Sequence, residues 1–204
     1  DEQNNISAAE ELEESGCHIL YGFENYKVHS KICLITYKDK NEFKYITQIG
    51  TGNYNEKTRK MYTDLSYITS RKEIGKDAVT FFQNMSMSNL EGQYQHLWVA
   101  PSNLKSSILK EIDNQINLAK QHQPARIRIK MNSFTDLDII HKISEASMAG
   151  VKIEMIIRGI CCLLPGLENA TENITIRSIV GRYLEHSRIY CFGDEKDIKI
   201  YIAS

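Results

Sequence analysis

The chain has 204 residues, 42% of them hydrophobic, so it can bury a core and form one large or two small domains. Its formal net charge of −1 excludes the broad basic field of many nucleic-acid-binding proteins, so any attraction for phosphate must come from a few converging cations. No apolar run reaches the roughly 20 residues of a membrane span, and the five cysteines have no metal-ligand spacing. We expect a cytoplasmic protein with reduced, mostly buried thiols.

Hydrophobic spacing in residues 1–92 predicts two helices separated by several strands. The acidic segment 6–15 is typical of a helix, which Gly16 ends. Two apolar runs on either side of a charged turn at 38–42 are typical of a hairpin, and the amphipathic pattern at 74–85 predicts the second helix. The predicted strands are 17–21, 27–37, 43–49 and 64–69, with a connector at 57–62.

A polar stretch at 86–95 predicts a boundary, after which strands and helices alternate. The predicted strands are 97–100, 126–131 and 152–157, and the predicted helices are 102–121, with Ser102 as N-cap, and 137–148, which Gly150 ends. This order indicates a mostly parallel sheet with helices on its faces. We therefore expect an α/β fold with domains at 1–92 and 93–204. Asn132, Arg158 and Gly159 follow strands, at the edge where catalytic groups gather in such sheets.

Two short patterns of the same kind lie about one subdomain apart. His29 and Lys31 precede an apolar run, and His186 and Arg188 precede another. Alternate residues of a strand share a face, so each imidazole is expected beside a cation. A nitrogen nucleophile that approaches a phosphate needs such a fixed positive charge. A single pattern of this kind is more often a surface pair, so the repetition carries the hypothesis.

A glycine-rich loop at 50–56 follows the second hairpin strand. Gly50 and Gly52 allow the backbone to approach a ligand, and Asn53 with neighbouring N–H groups is suited to phosphate oxygens. Alone, the loop is more typical of a tight turn. Together with the histidine and lysine before it, the loop resembles the phospholipase D superfamily, in which two half-sites each supply one histidine.

Longer blocks resemble the ATP-dependent polyphosphate kinase family, in the same order, from about residue 8 to residue 204. The blocks are YKVHSK at 26–31, IGTGNYN at 49–55, MYTD at 61–64, KMNS at 130–133, IRGIC at 157–161 and SIVGRYLEHSR at 178–188. The resemblance implies two phospholipase D-like subdomains, with mixed or parallel sheets flanked by helices and one site between them. It also implies reversible transfer of the terminal phosphate of ATP to inorganic polyphosphate through a phosphohistidine.

The resemblance also implies roles for individual residues. His29 is expected to carry the phosphate, and His186 to contact the phosphates or protonate the leaving oxygen. Further catalytic residues are expected to be Lys31, Arg188 and Asn53, and the nucleotide contacts Tyr62, Arg158 and His186. ATP or ADP and Mg²⁺ are the implied cofactors, with no metal ligand in this chain, because the residues associated with the magnesium-bound phosphate are expected upstream. The implied partners are ATP, ADP and polyphosphate, with no nucleic acid; the full-length protein is expected to self-associate and to be cytoplasmic, with membrane association left open.

Two alternatives to the kinase stay open from the residues themselves. One is a phosphodiesterase or phosphatidyl transferase of the same superfamily, and the other is a non-catalytic polyphosphate-binding module. The blocks around Tyr62 and Arg158 favour the kinase. Arg126, Arg128 and Lys130 share one strand face, either as a cationic strip or as a solvated sheet edge. The remaining histidines, at 18, 96, 122 and 141, lack the pattern and are expected to be structural or on the surface.

The sequence departs from the family in two ways. Gln48 stands where many relatives have another histidine ahead of the glycine loop, which puts a catalytic need for that position in doubt. The chain also stops at Ser204, before a second loop can be completed, and lacks the upstream part of the nucleotide pocket. We therefore expect the isolated 204 residues neither to make polyphosphate from ATP nor to make ATP from polyphosphate at a useful rate.

Overall fold

A computed structural model describes residues 2–204, with side chains described from Ile6 onward. The described residues form sheets of three, five and two strands. In chain order the elements are α1 (Glu2–Glu14), β1 (Ile32–Asp39), β2 (Glu42–Gly50), α2 (Glu56–Arg59), β3 (Tyr62–Thr63), β4 (Ser66–Thr69), α3 (Lys72–Ser86), α4 (Leu104–Lys120), β5 (Arg126–Met131), α5 (Leu137–Met148), β6 (Lys152–Ile157), β7 (Ile174–Arg177), β8 (Leu184–Glu185), β9 (Arg188–Phe192) and β10 (Lys199–Ala203).

The first sheet is antiparallel, in the order β1-β2-β4, with α3 packed against β1 and β2. The predicted hairpin is confirmed, since Asp39 pairs with Glu42 across a two-residue turn in which Lys40 has a φ of 54°. β1 begins at Ile32, however, so the predicted strand 27–37 is wrong over its first five residues. Gly50 N still donates to Lys31 O at 2.8 Å, but the backbone before Lys31 leaves the sheet.

The second sheet is mixed, in the order β10-β9-β5-β6-β7. β5, β6 and β7 are parallel, whereas β9 and β10 are antiparallel to their neighbours, so the predicted mostly parallel sheet holds for β5, β6 and β7 alone. Isoleucines of α4 and α5 pack against one face of this sheet, where Ile127 and Ile129 of β5 are buried. The confirmed bounds of β5, α5 and β6 follow from this alternation of buried and polar positions.

Two predicted strands do not form. Residues 17–21 are irregular, and Leu20 and Tyr21 are exposed. Residues 97–100 are also irregular, because side chains take their backbone donors: Asp77 accepts from Leu97 N at 2.8 Å, and Asn103 Oδ1 accepts from Val99 N at 2.7 Å. A segment whose N–H groups are satisfied in this way has none left for a ladder.

Three smaller expectations also need correction. Asn103, rather than Ser102, precedes α4, and the Ser102 hydroxyl donates instead to Gly92 O. Three cysteines are exposed and two half-buried, so the thiols are not mostly buried. The cations of β5 do not lie on a sheet edge, because β5 is the central strand. None of the described helices combines the length and apolar character needed to cross a bilayer.

The two halves meet in the third sheet, where β3 pairs in parallel with β8. Leu184 N donates to Met61 O at 2.8 Å, and Ser187 N donates to Thr63 O at 3.1 Å. This pairing places the segments around Tyr62 and His186 side by side, although they are far apart in the chain.

The core around α5 gives a direct test of the fold. Ile143 is 0% exposed within the cluster between α5 and the second sheet, whereas Leu137, on the same helix, is 67% exposed. Ile143→Ala should lower the free energy of unfolding by about 2–5 kcal/mol, because it removes buried methylene groups and leaves a cavity. Leu137→Ala is the matched control and should change it by less than about 0.5 kcal/mol in a denaturant titration. Equal losses in the two variants would contradict the position of this core.

Candidate active site

The first histidine lies against its predicted cation. Lys31 Nζ is 2.9 Å from Nδ1 and 3.3 Å from Nε2 of His29, and it also donates to the His29 carbonyl oxygen. Lys31 therefore contacts His29 as predicted, but for a different reason. The two residues precede β1, and the lysine side chain folds back onto His29 instead of lying beside it on one face of a strand. Lys31 is buried and His29 is partly exposed, so the imidazole can be reached from solvent.

The hydroxyl of Ser204 provides a second contact to the ring of His29. Ser204 Oγ donates to His29 O at 3.2 Å and lies 3.0 Å from His29 Nδ1. The Lys31 ammonium lies 2.9 Å from the same Nδ1 and can only donate, so Nδ1 lies between a donor and a hydroxyl that can donate or accept. Together the two contacts orient the imidazole of His29.

Several cations act on these two groups. Burial lowers the pKa of His29 below its ordinary 6.5, and the charges of Lys31, Arg188, Lys27 and His186 lower it further. Burial, with Arg188 as the next cause, lowers the pKa of Lys31 to about 8, although the charge of Asp64 opposes the shift. Both effects follow from crowding positive charges in a partly dry site. A neutral imidazole beside a cluster of cations is thus favoured at neutral pH.

The second histidine is held by a carboxylate from the other half of the chain. His186 Nδ1 lies 2.8 Å from Asp64 Oδ1, and Thr51 Oγ1 donates to the same oxygen at 2.6 Å. His186 is buried, and the Asp64 side chain is 21% exposed. A carboxylate at Nδ1 fixes the ring orientation and stabilises an imidazolium. The arrangement suits a group that delivers a proton from Nε2.

Asp64 also explains the glycine loop in part. A Cβ on Gly52 would lie 2.3 Å from Asp64 Oδ2, so a side chain at this position would displace the carboxylate. Thr51 is fully buried, and its backbone N–H donates to Leu65 O at 3.0 Å. The loop thus fits closely around Asp64. Whereas the sequence predicts that both glycines make room for a ligand, Gly52 makes room for this carboxylate.

The remaining predicted site residues fall into two groups. Tyr62 lies beside His186, with ring centroids 5.0 Å apart, and Arg188 donates to His186 O at 3.2 Å. Burial, and then the charge of Arg158, lower the pKa of Arg188. Arg158 Nε is buried and has no hydrogen-bond partner among the described residues.

Asn53 is not brought into this arrangement. It is exposed, and its side chain is not among the described hydrogen-bond partners of His29 or His186, so its catalytic role stays a prediction. Gln48 has a structural role instead: Nε2 donates to Ser66 Oγ at 2.8 Å, and Oε1 accepts from the Tyr54 hydroxyl. The other four histidines, at 18, 96, 122 and 141, are all exposed, as expected of surface residues.

The described residues offer no cluster of ligating side chains for the implied Mg²⁺. Within residues 2–204 as described, no three acidic, histidine or cysteine side chains gather in a way that could hold a metal ion. Asp64, the carboxylate at the site, is already engaged by His186 and Thr51. The described residues therefore do not fit a resident Mg²⁺.

Sequence reasoning missed three contributors to the site: Thr51, Asp64 and Ser204. Asp64 stands in the same block as Tyr62, and Thr51 stands between the two glycines, so both lay within segments already singled out. No spacing rule connects Asp64 to a histidine in the other half, however, and the pairing becomes apparent only once β3 and β8 are joined.

Comparison with known proteins agrees with this architecture. Residues 1–91 match the model "Polyphosphate kinase C-terminal domain 1", and residues 97–204 match "Polyphosphate kinase C-terminal domain 2". Polyphosphate kinases of Bacillus cereus and Staphylococcus epidermidis are each 48% identical over the whole chain, which spans 29% and 28% of their lengths. The crystal structure of polyphosphate kinase from Porphyromonas gingivalis superposes with a TM-score of 0.88 at 34% identity, over 99% of this chain and 34% of that one. The chain belongs to the polyphosphate kinase family, as two consecutive C-terminal domains that together span less than a third of the curated relatives' length.

Proposed function

We propose that these residues form the two-histidine site of an enzyme that reversibly transfers the terminal phosphate of ATP to inorganic polyphosphate through a phosphohistidine on His29. The observation that carries the proposal is the unequal environment of the two imidazoles. His29 lies among cations that favour its neutral form, whereas His186 is paired with a carboxylate. A neutral nucleophile and a proton donor are the two groups that a phosphoryl transfer of this kind requires.

The transfer proceeds in two displacements. In the first, a ring-nitrogen lone pair of His29 attacks the terminal phosphorus of ATP, a P–N bond forms, and the bond to the bridging oxygen of ADP breaks. His186 supplies a proton or a hydrogen bond to the oxygen that leaves. In the second, a terminal oxygen of polyphosphate attacks the same phosphorus, and the P–N bond electrons return to that ring nitrogen. The polyphosphate is then longer by one phosphate, and His29 is free again.

The cations act on the phosphates during both displacements. Lys31 and Arg188 lie against the two histidines, where charge on the transferring group is to be neutralised. Arg158 offers a planar donor with a buried, unpartnered Nε, which suits the oxygens of a nucleotide phosphate. Tyr62 and Arg158 line a common cavity with Tyr183, and we assign the nucleotide to that side of His186.

Other properties implied by the family resemblance stay predictions. They are a role for Asn53, the supply of Mg²⁺ by residues outside this chain, self-association, and a cytoplasmic location with membrane association left open.

The substrates decide between this function and its alternatives. The full-length protein that contains these residues, given ATP, Mg²⁺ and a polyphosphate primer, should release ADP and lengthen the primer, and it should make ATP from ADP and polyphosphate. Turnover of a lipid phosphodiester without any ATP-dependent product would instead identify a phosphodiesterase. Polyphosphate binding without either reaction would identify a binding module. The 204 residues alone should be inactive in both directions.

The pH dependence of His29 phosphorylation should show the state of Lys31. Because the pKa of Lys31 is about 8, its ammonium is present below pH 8 and is lost as the pH rises through that value. We expect the initial rate of labelling from radiolabelled ATP to fall above about pH 8. Because the pKa of His29 is lowered, the neutral nucleophile should persist below pH 6.5.

Lys31→Arg is the matched variant, because a guanidinium stays charged throughout this range. It should remove the fall at alkaline pH even if its labelling rate is lower. An alkaline fall that is the same in Lys31→Arg would assign the titration to another group.

A further inference from the structure

Lys130, near the end of β5, holds both neighbours of His186. Its Nζ donates to Glu185 Oε2 at 2.7 Å and to Ser187 Oγ at 2.6 Å. The Lys130 side chain is 15% exposed, and that of Glu185 is 24% exposed. One largely buried cation therefore fixes the residue before and the residue after the second histidine to the central strand of the larger sheet.

Glu185 also connects this lysine to the first half of the chain. Thr63 Oγ1 donates to Glu185 Oε2 at 2.9 Å, so the same carboxylate oxygen accepts from both halves. The Lys130 ammonium, and then the Thr63 hydroxyl, lower the pKa of the Glu185 carboxyl, which stays charged at neutral pH. A charged, doubly hydrogen-bonded group of this kind has one preferred position.

The lysine and the histidine face different surroundings. His186 contacts Asp64 and Tyr62, whereas its neighbours Glu185 and Ser187 contact Lys130. The charge of Lys130 is opposed by the Glu185 carboxylate, and none of its described hydrogen bonds reaches His29, Lys31 or His186 itself. Its described hydrogen bonds therefore connect it to the site through the segment that carries His186.

We propose that Lys130 is a positioning residue, which holds the segment 185–187 so that the imidazole of His186 meets Asp64. The proposal rests on the proposed function, because a displaced His186 lowers turnover only if His186 takes part in the reaction. Sub-ångström placement matters in such sites, since a misplacement of about 1 Å can lower a rate about 100-fold. The deletion of one ammonium group outside the reacting centre should therefore have a large effect on turnover.

Kinetics of the full-length protein test this directly. Lys130→Met keeps most of the side-chain volume and should lower kcat about 100-fold, with a much smaller change in the KM for ATP. Lys130→Arg should restore part of the rate, since a guanidinium can donate to both neighbours. Lys152→Met is the matched control: this lysine is exposed on the adjacent strand β6, in register with Arg126, and its loss should leave turnover unchanged.

A double-mutant cycle separates positioning from general stability. If Lys130 acts only through His186, then Lys130→Met should cost about twofold or less in a His186→Ala background. A residue that merely stabilises the fold would cost the same factor in both backgrounds, and that result would overturn the proposal. Thermal denaturation of each variant shows whether the folded state is retained. Should Lys130→Met fail to fold, Glu185→Gln replaces it, since the amide keeps an acceptor for Thr63 but loses the ion pair.

The imidazole of His186 gives a readout that does not depend on activity. With ring ¹⁵N labels, the hydrogen-bonded Nδ1 proton of His186 should give a downfield signal that Asp64→Ala removes. Lys130→Met should shift or broaden that signal, and Lys152→Met should not. If Lys130→Met changes the signal but not the turnover, Lys130 does position His186, and His186 has no part in the proposed reaction. An unchanged signal in the folded Lys130→Met protein would overturn the positioning itself.

Discussion

His29→Ala in the full-length protein should abolish both polyphosphate synthesis and the covalent label from ATP. The variant removes the nitrogen that is proposed to form the P–N bond, and no other histidine has the same surroundings. Wild-type protein given radiolabelled ATP should carry a label that is lost in acid and kept in alkali, as a phosphorus–nitrogen bond requires. The label should be absent from His29→Ala.

His186→Ala is the informative comparison for this experiment. It should slow turnover but keep a measurable label, because His186 is proposed to assist the leaving group rather than to hold the phosphate. His141→Ala, at an exposed histidine on α5, should change neither quantity. A phosphopeptide that maps to His186, with His29 unmodified, would exchange the two roles.

Asp64→Asn should cause the second-largest loss of turnover, because Asp64 holds the proton of His186 on Nδ1. Asp64 Oδ1 accepts a hydrogen bond and opposes the charge of an imidazolium, and an amide in its place does not carry that charge. By comparison with other carboxylate–histidine pairs, turnover should fall by about 10²- to 10⁴-fold. Asp64→Glu should recover part of the rate.

The effect of Asp64→Asn should lie mainly in kcat, and His29 should still acquire some label. Asp39→Asn, at an exposed position at the end of β1, is the control and should leave turnover unchanged. A normal kcat in folded Asp64→Asn would show that the contact with His186 has no part in the reaction.

Local pattern was sufficient to predict three elements of the second domain with their bounds. β5, α5 and β6 have buried residues at strand or helix spacing and are bounded by turn residues, so their limits were predicted as found. The predicted strand at 97–100 was wrong. Its apolar residues are compatible with a strand, but its backbone N–H groups donate to the side chains of Asp77 and Asn103. Such side-chain contacts across the chain are invisible to local periodicity.

The site was predictable in its histidines and less so in its supporting groups. The repeated pattern indicated His29 with Lys31 and His186 with Arg188. Lys31 contacts the imidazole of His29, whereas Arg188 contacts the backbone carbonyl of His186. Asp64 could not be assigned to His186, because nothing in either segment specifies a partner in the other half. The lysine of β5 was likewise one of three equivalent cations until its hydrogen bonds distinguished it.

The parallel pairing of β3 with β8 has a consequence for folding. The residues joined by Thr63 Oγ1 are 121 and 122 positions apart, whereas the core elements of each half pair over much shorter separations. Contacts of such long sequence separation form late and carry a high entropic cost of loop closure. Two-residue strands also offer little burial to offset that cost. We therefore expect the two domains to acquire their own sheets before the histidines come together, and the amides of Leu184 and Ser187 to exchange with solvent through openings that leave β5 and β6 protected.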